Sequence, residues 1–578
     1  MFDDLTDPQD SNSTRLLTPK PDAALQRFSK LRQYIKTGKT PWRRLSRWKR
    51  ETLCNADILN PYDVGERGGA AFPLRENRFV RAIEYQNALK QRFLPEIKDA
   101  AIHRLKSNLP AYSAAKTLST PQLIWFLLIA CLLAACAVSR PIATLIAMNT
   151  VITTYFLLAI GFRIVLLAIG SGKIGREESP PIQADEELPV ITILLPLLQD
   201  AEALPALIRA MDQLEYPEDK KDIKLLLEKD DTETLLEASR LNLAERCDLI
   251  LIPKGGPRTK PKACNFGLYL ARGDLIVIYD AEDQPEPDQL LKAARAFQTA
   301  DPAVACMQAR LNFYNHDECW LTRLFTLEYS LWFDWLLPAL QKTGAPIPLG
   351  GTSNFFRTDV LSELIGWDPY NVTEDADLGL RMYAFGYRVE MLDSTTFEEA
   401  NCRRKNWIRQ RSRWMKGYLQ TWLVHMRRPG AIIRSTGWVG FLSVQLFVAG
   451  NVLSALVNPI LWLIFIAWLL TSSEAISAIF PEPLLFFNLF ALIFGNTFFM
   501  GLAVIAPLKR GWFHLAPAGL SAPFYWLFAS IAAYKAVWQL FFKPHYWEKT
   551  DHTISIAAKA KREEALKADR ESRNRGLR

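Results

Sequence analysis

No two of the eight cysteines, Cys54, Cys131, Cys136, Cys247, Cys264, Cys306, Cys319 and Cys402, stand as a C-x-x-C pair, and two of them fall inside an apolar run. Neither a disulfide framework nor a zinc site is expected from them, and they read as reduced and structural. No recognised nucleic-acid motif occurs. The formal net charge of +8 is modest for 578 residues, and cytoplasmic loops of membrane proteins carry the same basic excess, so no nucleic-acid partner is expected. Ahead of residue 120 no stretch is apolar enough to be a secretory leader, and none is expected. Charge itself is missing over long distances: residues 438 to 470 contain no Asp, Glu, Lys or Arg.

What is present is a sharp alternation of polar stretches and apolar runs of about twenty residues, long enough to cross a hydrocarbon core of roughly 30 Å. The chain therefore reads as a multi-pass membrane protein in contact with the lipid bilayer. Residues 1–118 are polar, basic and punctuated by proline, with a helix expected over 77–97 and no legible role. Two spans follow within 119–170, joined by the tight turn Ser139-Arg140-Pro141, and Arg163 with GSGKIGR marks the return to a basic side. A turn that short holds no domain, so 1–118 and the chain after 170 share one face, cytoplasmic by the distribution of positive charge. Beyond 430 the apolar runs resume as a bundle over 431–543. The stretch 438–470 reads as two short spans or one long tilted one, broken at Asn458-Pro459, and 484–506 and 523–542 follow, the last containing Lys535. The charged tail 544–578 reads as cytoplasmic, which demands an even number of crossings. Four are expected after the domain and six in all, with some of the four interfacial.

Between the two sets of spans, 188–430 reads as a soluble α/β domain. LPVITILLP, DIKLLLE and GDLIVIYD are short apolar strands, and ALPALIRAMDQL is an amphipathic helix between two of them. Alternating strands and helices imply a mostly parallel sheet, whose ligands bind beyond the carboxyl ends of its strands. Acids collect there: Asp200 after the first strand, Glu228, Asp230 and Asp231 at the end of the second, and Asp280, Glu282 and Asp283 after the third. Carboxylates facing one crevice suit a hard divalent cation that bridges a diphosphate. Arg258, Lys260 and Lys262 follow a Gly-Gly turn and would supply positive charge on the other side. Further on come the glycine-led turn Gly351-Thr352-Ser353, the run Thr373-Glu374-Asp375 at a helix start, and NWIRQRSRWMKG from Asn406 to Gly417.

The order of these pieces resembles the membrane-embedded family 2 glycosyltransferases, the group that contains bacterial cellulose synthase. A Pro-bearing first strand, an acidic second-strand end, K-x-x-x-N, an acidic third-strand end, G-T-S, T-E-D and Q-x-x-R-W follow one another over 188 to about 425. The resemblance implies a glycosyltransferase-A type α/β domain, Rossmann-like, inserted between transmembrane helices of the inner (plasma) membrane, with the catalytic domain cytoplasmic. It implies an inverting hexosyltransferase that uses a nucleotide sugar, UDP-linked, to elongate a β-linked exopolysaccharide and pass it outward. Pro196, Asp200, Glu228, Asp230, Asp231, Lys262, Asn265 and Asp280 would lie on the donor side. Asp280 with Glu282 or Asp283 would hold Mg²⁺ or Mn²⁺. Asp375 would be the general base, supported by Thr373 and Glu374, while Gly351, Thr352, Ser353, Gln410, Arg411, Arg413 and Trp414 would line the acceptor and pyrophosphate side. The expected partners are the nucleotide-sugar donor, the growing polysaccharide, and export proteins of the periplasm or outer membrane. Two departures stand out: Glu228-Lys229-Asp230-Asp231 replaces the family's D-D-G, and D-A-E-D replaces D-A-D. Single glycosylation of a membrane lipid and a non-catalytic scaffold are the other readings.

Overall fold

The computed structural model describes residues 95–170 and 188–549, together with Ser555 and Lys559. The helix expected over 77–97 lies almost wholly outside the described residues. The chain divides after Ala100 into two units, and the account below concerns the second.

Helices α1 (Thr120–Ser139) and α2 (Pro141–Gly170) occupy the first two apolar runs, with Arg140 as the corner. No residue of α1 is buried by protein; a helix this apolar all round is stable in that state only against lipid. On α2 the buried positions include Asn149, Thr153 and Arg163. Arg163 Nη2 donates to Asn451 Oδ1 at 2.8 Å, and its guanidinium faces the rings of Phe447 and Phe499 at 4.8 and 5.2 Å.

The α/β domain is built on β1 (Ile191–Leu197), α3 (Leu204–Asp212), β2 (Lys221–Glu228), α4 (Thr232–Arg240), β3 (Asp248–Ile252), α5 (Lys260–Leu270) and β4 (Leu275–Ile278). Then come β5 (Gln284–Pro285), α6 (Gln289–Thr299), β6 (Val304–Phe313), α7 (Trp320–Ser330), α8 (Leu337–Lys342), β7 (Asn354–Arg357), α9 (Thr358–Glu363), α10 (Glu374–Ala384), β8 (Arg388–Glu398) and α11 (Arg404–His425). Eight strands form one sheet in the order β3-β2-β1-β4-β7-β6-β8-β5. The first four are parallel, and β1 and β4 have the nearly continuous apolar run of strands covered on both faces. β7 runs antiparallel to both β4 and β6, and β8 is parallel to β6. The α/β, mostly parallel fold expected of a glycosyltransferase-A type domain is thus present, with two reversed strands in its second half, β7 and the two-residue β5 at the edge. Alternation along β1 sends Ile191, Ile193 and Leu195 into the core cluster that includes residues of α3 and α6. Leu194 points to the other face, so close to Gly267 of α5 that a β-carbon there would meet its methyl groups.

Three long apolar helical segments follow α11: α12 (Pro429–Thr471), α13 (Glu482–Arg510) and α14 (Ala522–Phe542, preceded by the turn Phe513–Ser521). Five helical segments among the described residues are long and apolar enough to span a membrane, two before the domain and three after. The count after the domain is one below the sequence expectation because α12 runs on through Pro459. Proline is tolerated inside such a helix where neighbours satisfy the freed backbone and flanking polar groups, and Asn458 Nδ2 donates to Asn496 Oδ1 at 3.0 Å. The break in α12 falls earlier, at Gly437, whose φ of 66° is open to glycine without strain.

Candidate active site

In the sheet, β1 stands between β2 and β4, so the chain leaves β1 toward one side and arrives at β4 on the other. Such a reversal opens a crevice beyond the carboxyl ends of the two strands. A cavity of about 550 Å³ lies there, lined at its domain end by Pro196, Asp200, Glu228, Lys260, Asp280, Glu282, Gly351, Thr352, Thr373, Glu374, Asp375, Gln410, Arg411, Arg413 and Trp414. All are residues that the sequence singles out for the site, Lys260 as one of three basic residues after the Gly-Gly turn. The same cavity reaches between the apolar helices, where Thr153, Asn451, Ser454, Asn458, Asn488 and Asn496 line it.

Six sequence candidates stay outside this lining, each for a visible reason. Lys262 is buried and pairs with Glu228 Oε1 at 2.6 Å, so it holds the acid that faces the cavity. Asn265 is spent on backbone, bonding Ala101 O at 3.0 Å, Trp367 O at 2.9 Å and Trp367 N at 3.0 Å. Asp231 caps α4, accepting from Thr234 N and Oγ1 at 3.3 and 2.8 Å. Asp230 meets Arg258 at 3.2 Å and Lys254 at 3.8 Å on the surface. Ser353 Oγ donates to Thr396 Oγ1 at 2.7 Å. Asp283 turns back beneath the loop: its Oδ2 accepts from Asp280 N at 2.7 Å and from Thr352 Oγ1.

Of the three basic residues after the Gly-Gly turn, Lys260 is the one that lines the crevice, and not Lys262, which the resemblance places beside the nucleotide. It opens α5, and its Nζ lies 2.5 Å from Asp280 Oδ1 and also donates to the Gly351 carbonyl. The K-P-K spacing carries the signal, since residues two apart on a helix face different ways. Gly351 is where the site converges: a β-carbon there would sit 3.7 Å from Asp375 Oδ2, 3.8 Å from Lys260 Nζ and 3.9 Å from Asp280 Oδ2. Burial pushes the Asp375 carboxyl well above the usual carboxylate range; Glu374 and Asp280 add to this and Lys260 opposes it. Burial also raises Glu374, against the pull of Lys260 and Arg413. For Lys260 burial disfavours the charge, but Asp280, Asp375 and Glu374 outweigh it and its pKa is raised. Acidic side chains thus outnumber basic ones in the crevice: Asp200, Glu228, Asp280, Glu282, Glu328, Glu374, Asp375 and Glu398 line it with Lys260, Arg411 and Arg413. That surplus of hard oxygen donors suits a divalent cation.

Helix α11 brings the basic stretch to this crevice. Gln410 Oε1 accepts from Asn401 at 2.8 Å. Arg411 is engaged in a two-pronged pair with Glu328, both contacts 2.7 Å, and stacks near Phe325, Trp407 and Trp414. Arg413 stands over the Trp547 ring at 4.6 Å, its buried Nε without a hydrogen-bond partner. Trp547 belongs to the segment after α14 and lines the cavity. Its neighbour Lys549 reaches Asp200 Oδ1 at 3.0 Å. Sequence reasoning assigned this segment no part in the site; the available signal was an aromatic pair, Tyr546-Trp547, between charges just past the last apolar run.

Gly417 sets the approach of α11 to the start of α10, because a β-carbon there would overlap the side chain of Thr373. Gly417→Ala is therefore expected to displace Thr373 and the adjacent Asp375, costing about 1–3 kcal/mol of stability as an overpacked contact does. Thermal unfolding in detergent measures the cost, and a melting temperature unchanged from wild type would show that α11 yields freely.

Residues 275–502 match the protein-family model described as glycosyl transferase family group 2. The probable glycosyltransferase YdaM of Bacillus subtilis is 26% identical over 238 residues, covering 40% of this chain and 56% of that protein. Glucomannan 4-beta-mannosyltransferase 2 of Arabidopsis thaliana is 30% identical over 225 residues, covering 37% and 42%. The chain spans about half the length of the curated relatives it matches. Among solved structures, a mannosyltransferase from Pyrobaculum calidifontis, PcManGT in complex with GDP-Man and Mn²⁺, aligns over 69% of this chain and 99% of its own, at 16% identity and a TM-score of 0.43.

Proposed function

We propose that this chain, which carries a family 2 glycosyltransferase domain, is an inverting hexosyltransferase that extends a β-linked polysaccharide from a nucleotide sugar, UDP-linked, and passes it across the inner membrane. One observation carries the reading: the cavity that holds Asp280, Glu282, Asp375 and Arg413 continues among the apolar helices, where Arg163, Thr153, Ser454, Asn451, Asn458, Asn488 and Asn496 line it alongside apolar side chains such as Phe156, Trp332, Phe447 and Leu492. A lipid-facing scaffold has no use for amide side chains there, whereas a hydroxyl-rich polymer is solvated by them.

The mechanism is a single displacement. Asp375 accepts the proton of an acceptor hydroxyl as that oxygen forms its bond to the anomeric carbon on the face opposite the nucleotide. The bond from the anomeric carbon to the diphosphate breaks with its electron pair on the diphosphate. Arg413 and Lys260 are placed to offset the charge that develops there, in a buried crevice where such contacts are strong. Asp280 and Glu282 would hold a divalent cation, which when bound supplies further positive charge to the diphosphate. Trp414 presents a flat apolar face on which a sugar ring rests.

Contacts at the ends of the apolar helices support a topology that suits export. Gln122 at the start of α1 donates to Leu423 O at 2.7 Å, and Lys509 at the end of α13 donates to Asp334 O at 3.0 Å. Lys342 donates to Ile169 O, at the end of α2. Helix α14 meets the domain at both ends: Trp320 Nε1 bonds Ser521 Oγ at 2.7 Å, and Lys416 Nζ bonds Tyr546 O at 2.6 Å. A helix whose two ends rest on one domain lies in the interface and does not cross. Four crossings, α1, α2, α12 and α13, then leave both ends of the described chain on the domain's face, cytoplasmic by charge. In intact cells carrying single cysteines in an otherwise unreactive background, a membrane-impermeant label should reach position 473 and not position 543. Labelling at 543 would return α14 to the set of crossing helices.

The reading as a whole is tested with purified protein and a panel of nucleotide sugars, following nucleotide release and product size. Long product supports it, single addition to lipid replaces it with one-step glycosylation, and no turnover with any donor leaves a scaffold.

A further inference from the structure

Outside the cavity, two loops meet in a way that neither the fold nor the transfer chemistry requires. His316 and Asp317 stand in the turn between β6 and α7; His514 stands in the segment Phe513–Ser521 that joins α13 to α14. His514 Nε2 is 2.9 Å from Asp317 Oδ2, and His316 Nε2 is 3.8 Å from the same oxygen. One donor atom from each residue lies within 4.8 Å of the other two, and this is the one such group of His, Cys, Asp or Glu among the described residues. Tetrahedral ligands at 2.0–2.1 Å from a zinc ion lie about 3.3 Å from one another, so a shift of under about 2 Å brings all three onto one ion.

The surroundings fix the donors. His316 Nδ1 is 3.3 Å from the carbonyl of Phe313; a proton held on Nδ1 by that carbonyl leaves the Nε2 lone pair facing the group, the usual support of an imidazole ligand. The His316 ring is stacked on Trp512 at 4.7 Å with 7° between planes, which sets its orientation. Arg323 Nε lies 3.3 Å from Asp317 Oδ1 and occupies the outer oxygen, leaving Oδ2 to the histidines. None of the three residues lines the cavity.

We propose that His316, Asp317 and His514 form a binding site for a borderline transition-metal cation, with Zn²⁺ as its occupant, that fastens the segment between α13 and α14 to the catalytic domain. Two imidazoles and one carboxylate select against Mg²⁺ and Ca²⁺, which take oxygen ligands, and the absence of a thiolate from the group selects against Cu⁺. With side chains 26% to 52% exposed, the fourth position goes to water. The ion joins the Trp512–Ser521 turn to the loop before α7, on the same element that contacts Trp320 through Ser521. This inference does not rest on the proposed transferase activity.

The test uses the full-length chain in detergent, stripped by chelator and titrated with Zn²⁺ against a chromophoric competitor, with Co²⁺ as the spectroscopic probe. Wild type should take up one Zn²⁺ that stabilises it against heat and should give a Co²⁺ spectrum of a nitrogen-ligated ion. His316→Gln and His514→Gln, which retain much of the side-chain bulk, should each weaken uptake by at least about tenfold, the loss expected when a metal site is disturbed. Asp280→Asn should leave uptake unchanged, which separates this ion from any in the crevice. Equal uptake by wild type and the His316→Gln/His514→Gln double variant would overturn the site, as would wild type that takes up no Zn²⁺ at all.

Discussion

Asp375→Asn is expected to give a protein that folds, inserts and binds the donor nucleotide, yet forms no polymer. Asp375 sits in the first turn of α10, where a carboxylate contributes about 0.3–1 kcal/mol to the helix, so its loss as a purely structural acid would be hard to detect. As a base it supplies about 10²- to 10⁴-fold in rate. The geometry favours the second role. Oδ1 of Asp375 is buried without a hydrogen-bond partner, an expensive state for an acid with only structural work, and burial with two neighbouring carboxylates raises its pKa toward the range in which a base works. Thr373 is in the N-cap position but its side chain makes no capping bond. Thr373→Ala is therefore expected to leave the helix intact and to cost transfer much less than Asp375→Asn. Turnover and donor affinity measured side by side decide the matter; an Asp375→Asn protein that retained more than about a tenth of wild-type turnover would remove the residue from the chemistry.

The parallel half of the sheet was legible because β1 and β4 are almost wholly apolar, with Pro beside one and Gly ahead of the other, and because β2 carries three consecutive leucines, Leu225 to Leu227. β7, NFFR, is four residues with a polar residue at each end, so it does not stand out from apolar pieces of loop as the four apolar residues of β4 do. β6 hides for a different reason: Gln308 and Asn312 are buried in it, and read one by one they suggest a surface. Inside the fold they are satisfied, Gln308 by Ala309 O, Thr352 O and Gly350 N and Asn312 by Ser330, partners that no local pattern announces. The same limit separates the site residues that line the crevice from those that do not. Acids clustered after a strand were readable as a group, but whether Asp231 faces the ligand or caps α4 depends on one side-chain torsion. Lys260 and Lys262 are equivalent in sequence; only the burial of one against Glu228 and the exposure of the other to Asp280 tells them apart. Trp547 was out of reach altogether, since it enters the site from 134 positions beyond Arg413, across three long apolar helical segments.

Asp280→Asn is expected to abolish transfer, and chelation of divalent cations is expected to do the same to wild type. Asp280 follows β4 at the switch point of the sheet, partly exposed in the crevice and paired to Lys260 at 2.5 Å. Removing its charge withdraws a ligand from the cation and frees the ammonium that it holds. Several kcal/mol of charge stabilisation are at stake, about a thousandfold or more in rate. The harder question is which acid serves beside it. Glu282 lines the crevice, whereas Asp283 is 1% exposed and already accepts hydrogen bonds from Asp280 N and Thr352. Glu282→Gln should therefore weaken Mn²⁺ binding, read by paramagnetic resonance of the bound ion, while Asp283→Asn should lower stability and leave Mn²⁺ affinity closer to wild type. The reverse pattern would exchange the two roles, because a loop buttressed by Asp283 would then have to turn outward to present it. Full activity of wild type in excess chelator would remove the cation from the mechanism and leave the departing diphosphate to basic side chains of the crevice, Lys260, Arg411 and Arg413.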